Sequence, residues 1–241
     1  MKKLFILIFI SSGVLGYSQE MTKVDTVAVN LLSKMSTVIG ELTSVTFNLE
    51  TANDKMNDLR ENERHFSTHK IQMVGPDKMA VHSKGDSGNK AIWYNGEILT
   101  YYSFDENNYV SLEAPDNIID MVDDINNRFG IDFPGADIFY PSLVDDVLEN
   151  FEFVKYLGFK TVDEEECFHV MASNKHMTFQ IWINNNAMFT PKRFLIIDKE
   201  NGHKHYQGTF SNWNINPILP ESMFNFRPPT SAKLISILAK S

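Results

Sequence analysis

Cys167-Phe168-His169 is the one place where a thiol and an imidazole share a short stretch of sequence. On a strand, residues two apart share a face and lie about 6.6 Å apart along the chain. They could touch one metal ion, but a closed zinc site needs two more ligands, and Glu164, Glu165 and Glu166 beside them read as a solvated turn. A thiol nucleophile would need a base and an orienting Asn or Asp, and no such signature is recognisable. The expected role of Cys167 is a small buried thiol. His65 and His69 have the spacing of a zinc-binding helix without its Glu, and on the strand that their neighbours indicate they stand about 13 Å apart. His203 and His205 sit beside the Asn201-Gly202 turn, exposed. Asp120, Asp123, Asp124, Asp145 and Asp146 lack calcium-loop spacing and a closing Glu. They alternate with apolar residues as the wet faces of amphipathic helices. There is no G-x-S-x-G, phosphate-binding loop or dinucleotide fingerprint. The reading is of a protein that is not an enzyme, with no catalytic residue, no metal ligand and no cofactor.

The elements around these residues change period along the chain. Residues 23–39 place Val24, Val27, Leu31, Leu32, Met35, Val38 and Ile39 at helical spacing, with Gly40 as the stop. Alternation then predicts strands over 45–49, 64–74 and 78–83. Asn95-Gly96 between apolar runs predicts a tight hairpin with both turn residues at positive φ. A second hairpin joins 99–104 to 109–113. A helical insert follows at about 116–150, with a helix over 117–129 and short ones near 136–140 and 143–149. Strands return at 152–160, 168–173, 177–184, 192–199 and 203–214, and a Pro-rich tail leads to a short helix over 234–240. Hairpin-length links without strand–helix–strand alternation mean an α+β domain: a strongly curved antiparallel sheet with helices over one face.

The N-terminus sets the compartment. Lys2 and Lys3 precede an apolar run, and Gly16 and Ser18 are small residues at the −3 and −1 positions before Gln19. That is the layout of a secretory signal peptide, 1–18, cleaved to leave a single domain, 19–241. Loss of the two lysines and no acid takes the formal net charge from −9 to −11. So acidic a chain is no general nucleic-acid binder, and one Cys makes no internal disulfide. No later segment is apolar enough to span a bilayer, so the expected product is soluble and periplasmic.

What remains is apolar surface. The chain has 18 Phe and 11 Met. Trp93-Tyr94, Tyr101-Tyr102 and Ile181-Trp182 put large groups on both faces of their strands. Both main helices have apolar stripes to bury. A half-closed sheet lidded by helices leaves a gap, for which the candidate lining is Leu31, Met35, Phe47, Leu49, Met121, Ile125, Phe179 and Ile181. Side chains that fill the gap give a rigid structural protein; an unfilled gap binds apolar ligands.

The strings Gly75-Pro76-Asp77-Lys78-Met79, Trp93-Tyr94-Asn95-Gly96, Gln180-Ile181-Trp182-Ile183, Pro191-Lys192-Arg193 and Phe224-Asn225-Phe226-Arg227-Pro228-Pro229, in this order, resemble a bacterial family of predicted periplasmic proteins of unknown function. That family is similar to the lipoprotein carrier LolA and its receptor LolB. The likeness spans about residues 24–233. It implies an antiparallel β half-barrel covered on its concave face by helices, around a hydrophobic cavity. The function it implies is a non-enzymatic carrier for a lipid, a lipoprotein acyl chain or another apolar ligand, with a possible envelope protein partner. The alternative is a structural or interaction protein of the cell envelope with a filled half-barrel. LolA's polar gate has no counterpart here, and Gly75 and Ala80 stand where relatives tend to carry Arg. The Cys167–His169 pair matches a Cys-and-His string of the unknown-function family.

Overall fold

Asp25 accepts a hydrogen bond from the Val27 N–H and so opens α1 (Thr26–Gly40). The computed structural model describes residues 22–131, 133 and 135–237; the expected signal peptide lies outside them. Ala28, Leu32, Met35 and Ile39 form one buried stripe of α1. The helix includes Gly40 rather than stopping before it, and Glu41 is the C-cap.

Among the described residues, twelve strands follow in one open curved sheet. They are β1 (Ser44–Met56), β2 (Asn62–Val74), β3 (Lys78–Gly85), β4 (Gly88–Tyr94), β5 (Ile98–Ser103), β6 (Asn108–Glu113), β7 (Phe153–Val162), β8 (Glu165–Ser173), β9 (Met177–Asn184), β10 (Pro191–Asp198), β11 (Lys204–Ile215) and β12 (Lys233–Leu234). Their order is β12-β6-β5-β4-β3-β2-β1-β11-β10-β9-β8-β7. Every pairing of these strands is antiparallel except β12 on β6. Between β6 and β7 lie α2 (Ile118–Phe129), a 3-10 turn (Ala136–Phe139) and α3 (Leu143–Asn150).

Register explains which side is buried. Cross-strand partners share a face, so Phe47, Ile71 and Val81 point the same way, as do Val170, Ile181 and Phe194. The stripe of α1 packs on β7 and β8, in one cluster with Val154, Val170, Ala172 and Ile181. Asn117 caps α2 through the Asp120 N–H, and Gly130, at φ 68°, ends it. Met121, Val122 and Ile125 of α2 close on Met79, Tyr94 and Leu99 of β3 to β5.

Two local expectations change. The Asn95-Gly96 hairpin has a three-residue loop in which only Gly96 takes positive φ (97°). Asn95 instead uses its Oδ1 to accept from the Glu97 and Ile98 N–H groups. The tail does not start a helix at 234. Lys233 and Ile235 donate to the Asn107 and Tyr109 carbonyls, so the chain is extended as β12; residues 238–240 lie outside those described. On its way there the tail lays Phe226 against Trp93, Tyr102 and Tyr109 on the sheet's other face.

Candidate functional site

The segment from Gly135 to Tyr140 crosses the helix-bearing face without regular structure beyond its one 3-10 turn, and three hollows surround it. Gly135 makes the crossing possible. It takes φ 74°, and a Cβ there would stand 3.3 Å from Phe194 Cε1, so both its conformation and its closeness to the sheet favour glycine.

The first hollow holds about 90 Å³ and is almost wholly apolar. Phe47 and Leu49 of β1, Ile71 of β2, Val81 of β3 and Phe210 of β11 form its floor, and Phe139 and Val122 its roof. Phe139 stacks on Phe47 at 5.4 Å, and Trp213 stacks on Phe47 at 4.6 Å. At ~30 Å³ per water-sized group the space takes about three such groups. The second hollow, about 500 Å³, lies between α3 and β9 to β11. Phe179, Phe194 and Ile196 form its floor and Ile138, Leu143 and Val147 its roof, while Asp137, Asp146, Asn174 and His176 lie at its rim. The third, about 620 Å³, is mixed, with Asn53, Asp54, Asp123, Asp198 and Lys204 beside Val122, Ile196 and Tyr206. Gly135 and Tyr140 line all three.

Electrostatics separate the hollows. His69 borders the first one, its Nε2 3.0 Å from Thr51 Oγ1 and its Nδ1 2.8 Å from Ser83 Oγ. Burial, with a smaller push from Lys90, lowers its pKa to about 4, so at neutral pH the ring is uncharged. Burial raises the Asp137 carboxyl, and Asp123 and Asp146 add to the effect. The Tyr140 hydroxyl donates to Asp123 at 2.7 Å. In the third hollow, the Arg64 hydrogen bond holds the Asp54 carboxyl below its usual range, with help from the His205 N–H.

Of the residues expected to line a gap, Phe47 and Leu49 border the first hollow and Phe179 the second. Met35, Met121, Ile125 and Ile181 are fully enclosed and border none of the three. Leu31 is half-buried against the same core as Met35. The reason is packing. α1 sits directly on β7 and β8, and Met121 and Ile125 of α2 on β3 to β5, so these side chains meet other side chains, while Val122 at the edge of the α2 stripe meets the first hollow. The space lies between the helices, under residues 135–140. Sequence reasoning passed over Phe194, Ile196, Tyr206, Gly135 and Asp137. The apolar run Phe194–Ile197 of β10 and the alternation of Tyr206 and Phe210 along β11 mark the first three, and an aromatic-rich stretch without a period, carrying Gly135, marks the crossing.

Cys167 and His169 lie on the opposite face, since their register partners are Asn184 and Trp182. The Cys167 Sγ is 3.7 Å from Asn184 Oδ1, and burial, then Glu165, raises its pKa to about 11. His169 stacks on Trp182 at 4.3 Å and shares a 3.0 Å hydrogen bond with Gln180. Glu165 is drawn away to Lys192. His65 and His69 have separate partners, His65 lying 3.7 Å from Glu63 and 3.9 Å from Asp86. Among the described residues, no three His, Cys, Asp or Glu side chains gather to hold a metal.

The fold is shared with solved structures of low sequence identity. The Mycobacterium tuberculosis lipoprotein LppX superposes with a TM-score of 0.52 at 15% identity, covering 81% of this chain and 98% of its own. An uncharacterized conserved protein from Thermus thermophilus gives 0.51 at 11%, covering 87% and 98%. A LolA superfamily protein from Nitrosomonas europaea gives 0.39 at 12%, covering 83% and 97%. No curated protein matches the sequence. No helix among the described residues is long and apolar enough to cross a membrane. The model of one family, described as predicted periplasmic protein (DUF2092), matches residues 28–238, and the chain belongs to that family.

Proposed function

We propose that this is an exported periplasmic protein, a single domain after loss of residues 1–18, that binds or carries an apolar ligand and is not an enzyme. The ligand class is an acyl chain of a lipid or lipoprotein, held in a half-barrel whose concave face the helices cover. The observation that carries this reading is the second hollow. Its 500 Å³ falls within the ~300–1,000 Å³ of small-molecule sites, and its floor and roof are apolar. At about 30 Å³ per group it takes roughly sixteen methylene-sized groups. A dozen buried methylenes, at ~0.8 kcal/mol each, supply roughly 10 kcal/mol gross before the cost of ordering the chain.

The test is calorimetric titration with dodecanol, a neutral chain that isolates the apolar term, together with native mass spectrometry of protein taken from a periplasm. Binding that raises the melting temperature, and that Phe179→Asp weakens by roughly tenfold or more, supports the proposal. No binding and no co-purified lipid would end it. A second reading, a filled half-barrel serving as a structural or interaction protein of the envelope, draws support from the first hollow, where Phe139 on Phe47 leaves about 90 Å³.

A further inference from the structure

The second hollow has an apolar interior and a rim of one charge. Asp137 and Asp146 line it, and no Lys or Arg is among its lining residues. Asp123 stands next to them in the adjoining hollow, which Asp137 also lines. The partners of the flanking acids are neutral: Asp146 accepts from Ser142 Oγ at 2.7 Å and Asp123 from the Tyr140 hydroxyl. The Asp137 carbonyl accepts from the Tyr140 N–H at 3.2 Å, but among the described residues its carboxylate has no hydrogen-bond or ion-pair partner, and it reaches solvent through both hollows. The one imidazole at the rim, His176, is engaged by the Glu200 carboxylate. Lys199 donates to the Asn174 carbonyl and Lys204 lines the adjoining hollow, but among the described residues neither forms an ion pair with Asp137 or Asp146, so the acids beside the apolar floor of Phe179, Phe194 and Ile196 are not ion-paired.

We propose that the ligand of this hollow is a cationic amphiphile, with an apolar body on Phe179, Phe194 and Ile196 and an ammonium or guanidinium head against Asp137 and Asp146. This rests on the binding reading above and narrows it. A fatty acid or an anionic phospholipid would bring its charge against two carboxylates, and like-charge juxtaposition selects against such a partner. Burial, and after it the charges of Asp123 and Asp146, raise the Asp137 carboxyl, and a cation at the same place offsets the second of these.

Three probes of equal chain length separate the terms: dodecylammonium, dodecanol and laurate, titrated calorimetrically below their micelle concentrations at pH 7.5 and low salt. Dodecylammonium is expected to bind roughly two- to fivefold tighter than dodecanol, the factor of one partly exposed ion pair, and laurate more weakly than dodecanol. Asp137→Asn and Asp146→Asn should each narrow the ratio of ammonium to alcohol affinity, with melting curves as the check on folding. On unaltered protein, 0.5 M salt should narrow the same ratio. Laurate binding as tightly as dodecylammonium, or a preference that survives both substitutions, overturns the charge inference while dodecanol binding keeps the apolar site. Failure of all three probes overturns the site itself.

Discussion

Gly208→Ala is a test of how tightly the sheet floor is built. Gly208 pairs with Phe194 on one side and Thr51 on the other. A Cβ there would stand 2.2 Å from Phe194 Cε1, 2.6 Å from its Cζ and 2.9 Å from Leu49 Cδ1. The backbone of Gly208 is in a region open to any residue, so the effect is steric alone. Phe194 is enclosed, with Tyr206 at 5.3 Å and Phe210 at 5.9 Å. The ring can yield only toward the hollow that it floors. Overpacking of this kind costs about 1–3 kcal/mol, and the stiffer unfolded chain of alanine returns about 0.4–1 kcal/mol. The net is about 1–2 kcal/mol of destabilisation, or a melting temperature lower by roughly 2–8 °C for a chain of this size. Differential scanning calorimetry reads that loss, and dodecanol titration should show weaker binding as the ring fills the hollow. Phe194→Leu in the same chain should recover part of the loss, so the pair is non-additive in the stabilising direction. An unchanged melting temperature for Gly208→Ala, or strict additivity with Phe194→Leu, would refute the packing argument.

His69 has a folded pKa near 4, below its unfolded value, through burial and Lys90. Its contribution is full above pH 6.5 and is lost as pH falls from 6.5 toward 4. His69→Gln should show a smaller fall in melting temperature across that window, and an equal fall would count against a buried neutral ring. Cys167, raised to about 11 by burial and Glu165, should resist a thiol-specific disulfide reagent at pH 7.5 until the chain is unfolded. Cys167→Ala should cost about 1 kcal/mol and leave dodecanol affinity in place; fast labelling of the folded chain would contradict this. Phe226→Ala should free the tail from Trp93, Tyr102 and Tyr109, at a cost of about 2 kcal/mol for a half-buried ring. Limited proteolysis should then cut sooner after residue 216, and an unchanged cleavage rate would show that β12 alone holds the tail.

Strand and helix order was legible because each element carries its own period. Val45, Phe47 and Leu49 alternate, Met121 and Ile125 repeat at helical spacing, and Asn117 and Gly130 mark the ends of their helix. The tail misled because Leu234 to Ala239 has helix-compatible spacing, whereas the backbone of β6 offers the Asn107 and Tyr109 carbonyls to it. Partners so far away in the chain leave no local trace. The lining was legible only for Phe47, Leu49 and Phe179, for a related reason. An apolar stripe says that a side chain is buried, not whether it meets another side chain or a void. Met35 and Ile181 meet side chains, while Phe179, on the same strand as Ile181 and two residues earlier, meets the hollow.

The position of the void follows from a mismatch between layers. The two long helices pack on opposite parts of the sheet, α1 on β7 and β8 and α2 on β3 to β5. The central strands β1, β11 and β10 are left for residues 135–140 to cover, and one 3-10 turn has no continuous apolar stripe. It offers Phe139 and Ile138 on either side of an aperiodic backbone, and Asp137 between them. Phe139 fills its side by stacking on Phe47, which explains the small first hollow. Ile138, with Leu143 and Val147 of the short α3, lines the larger second one together with Phe194 and Ile196. The same crossing therefore closes one half of the interior and leaves the other open, and it sets a carboxylate at the opening.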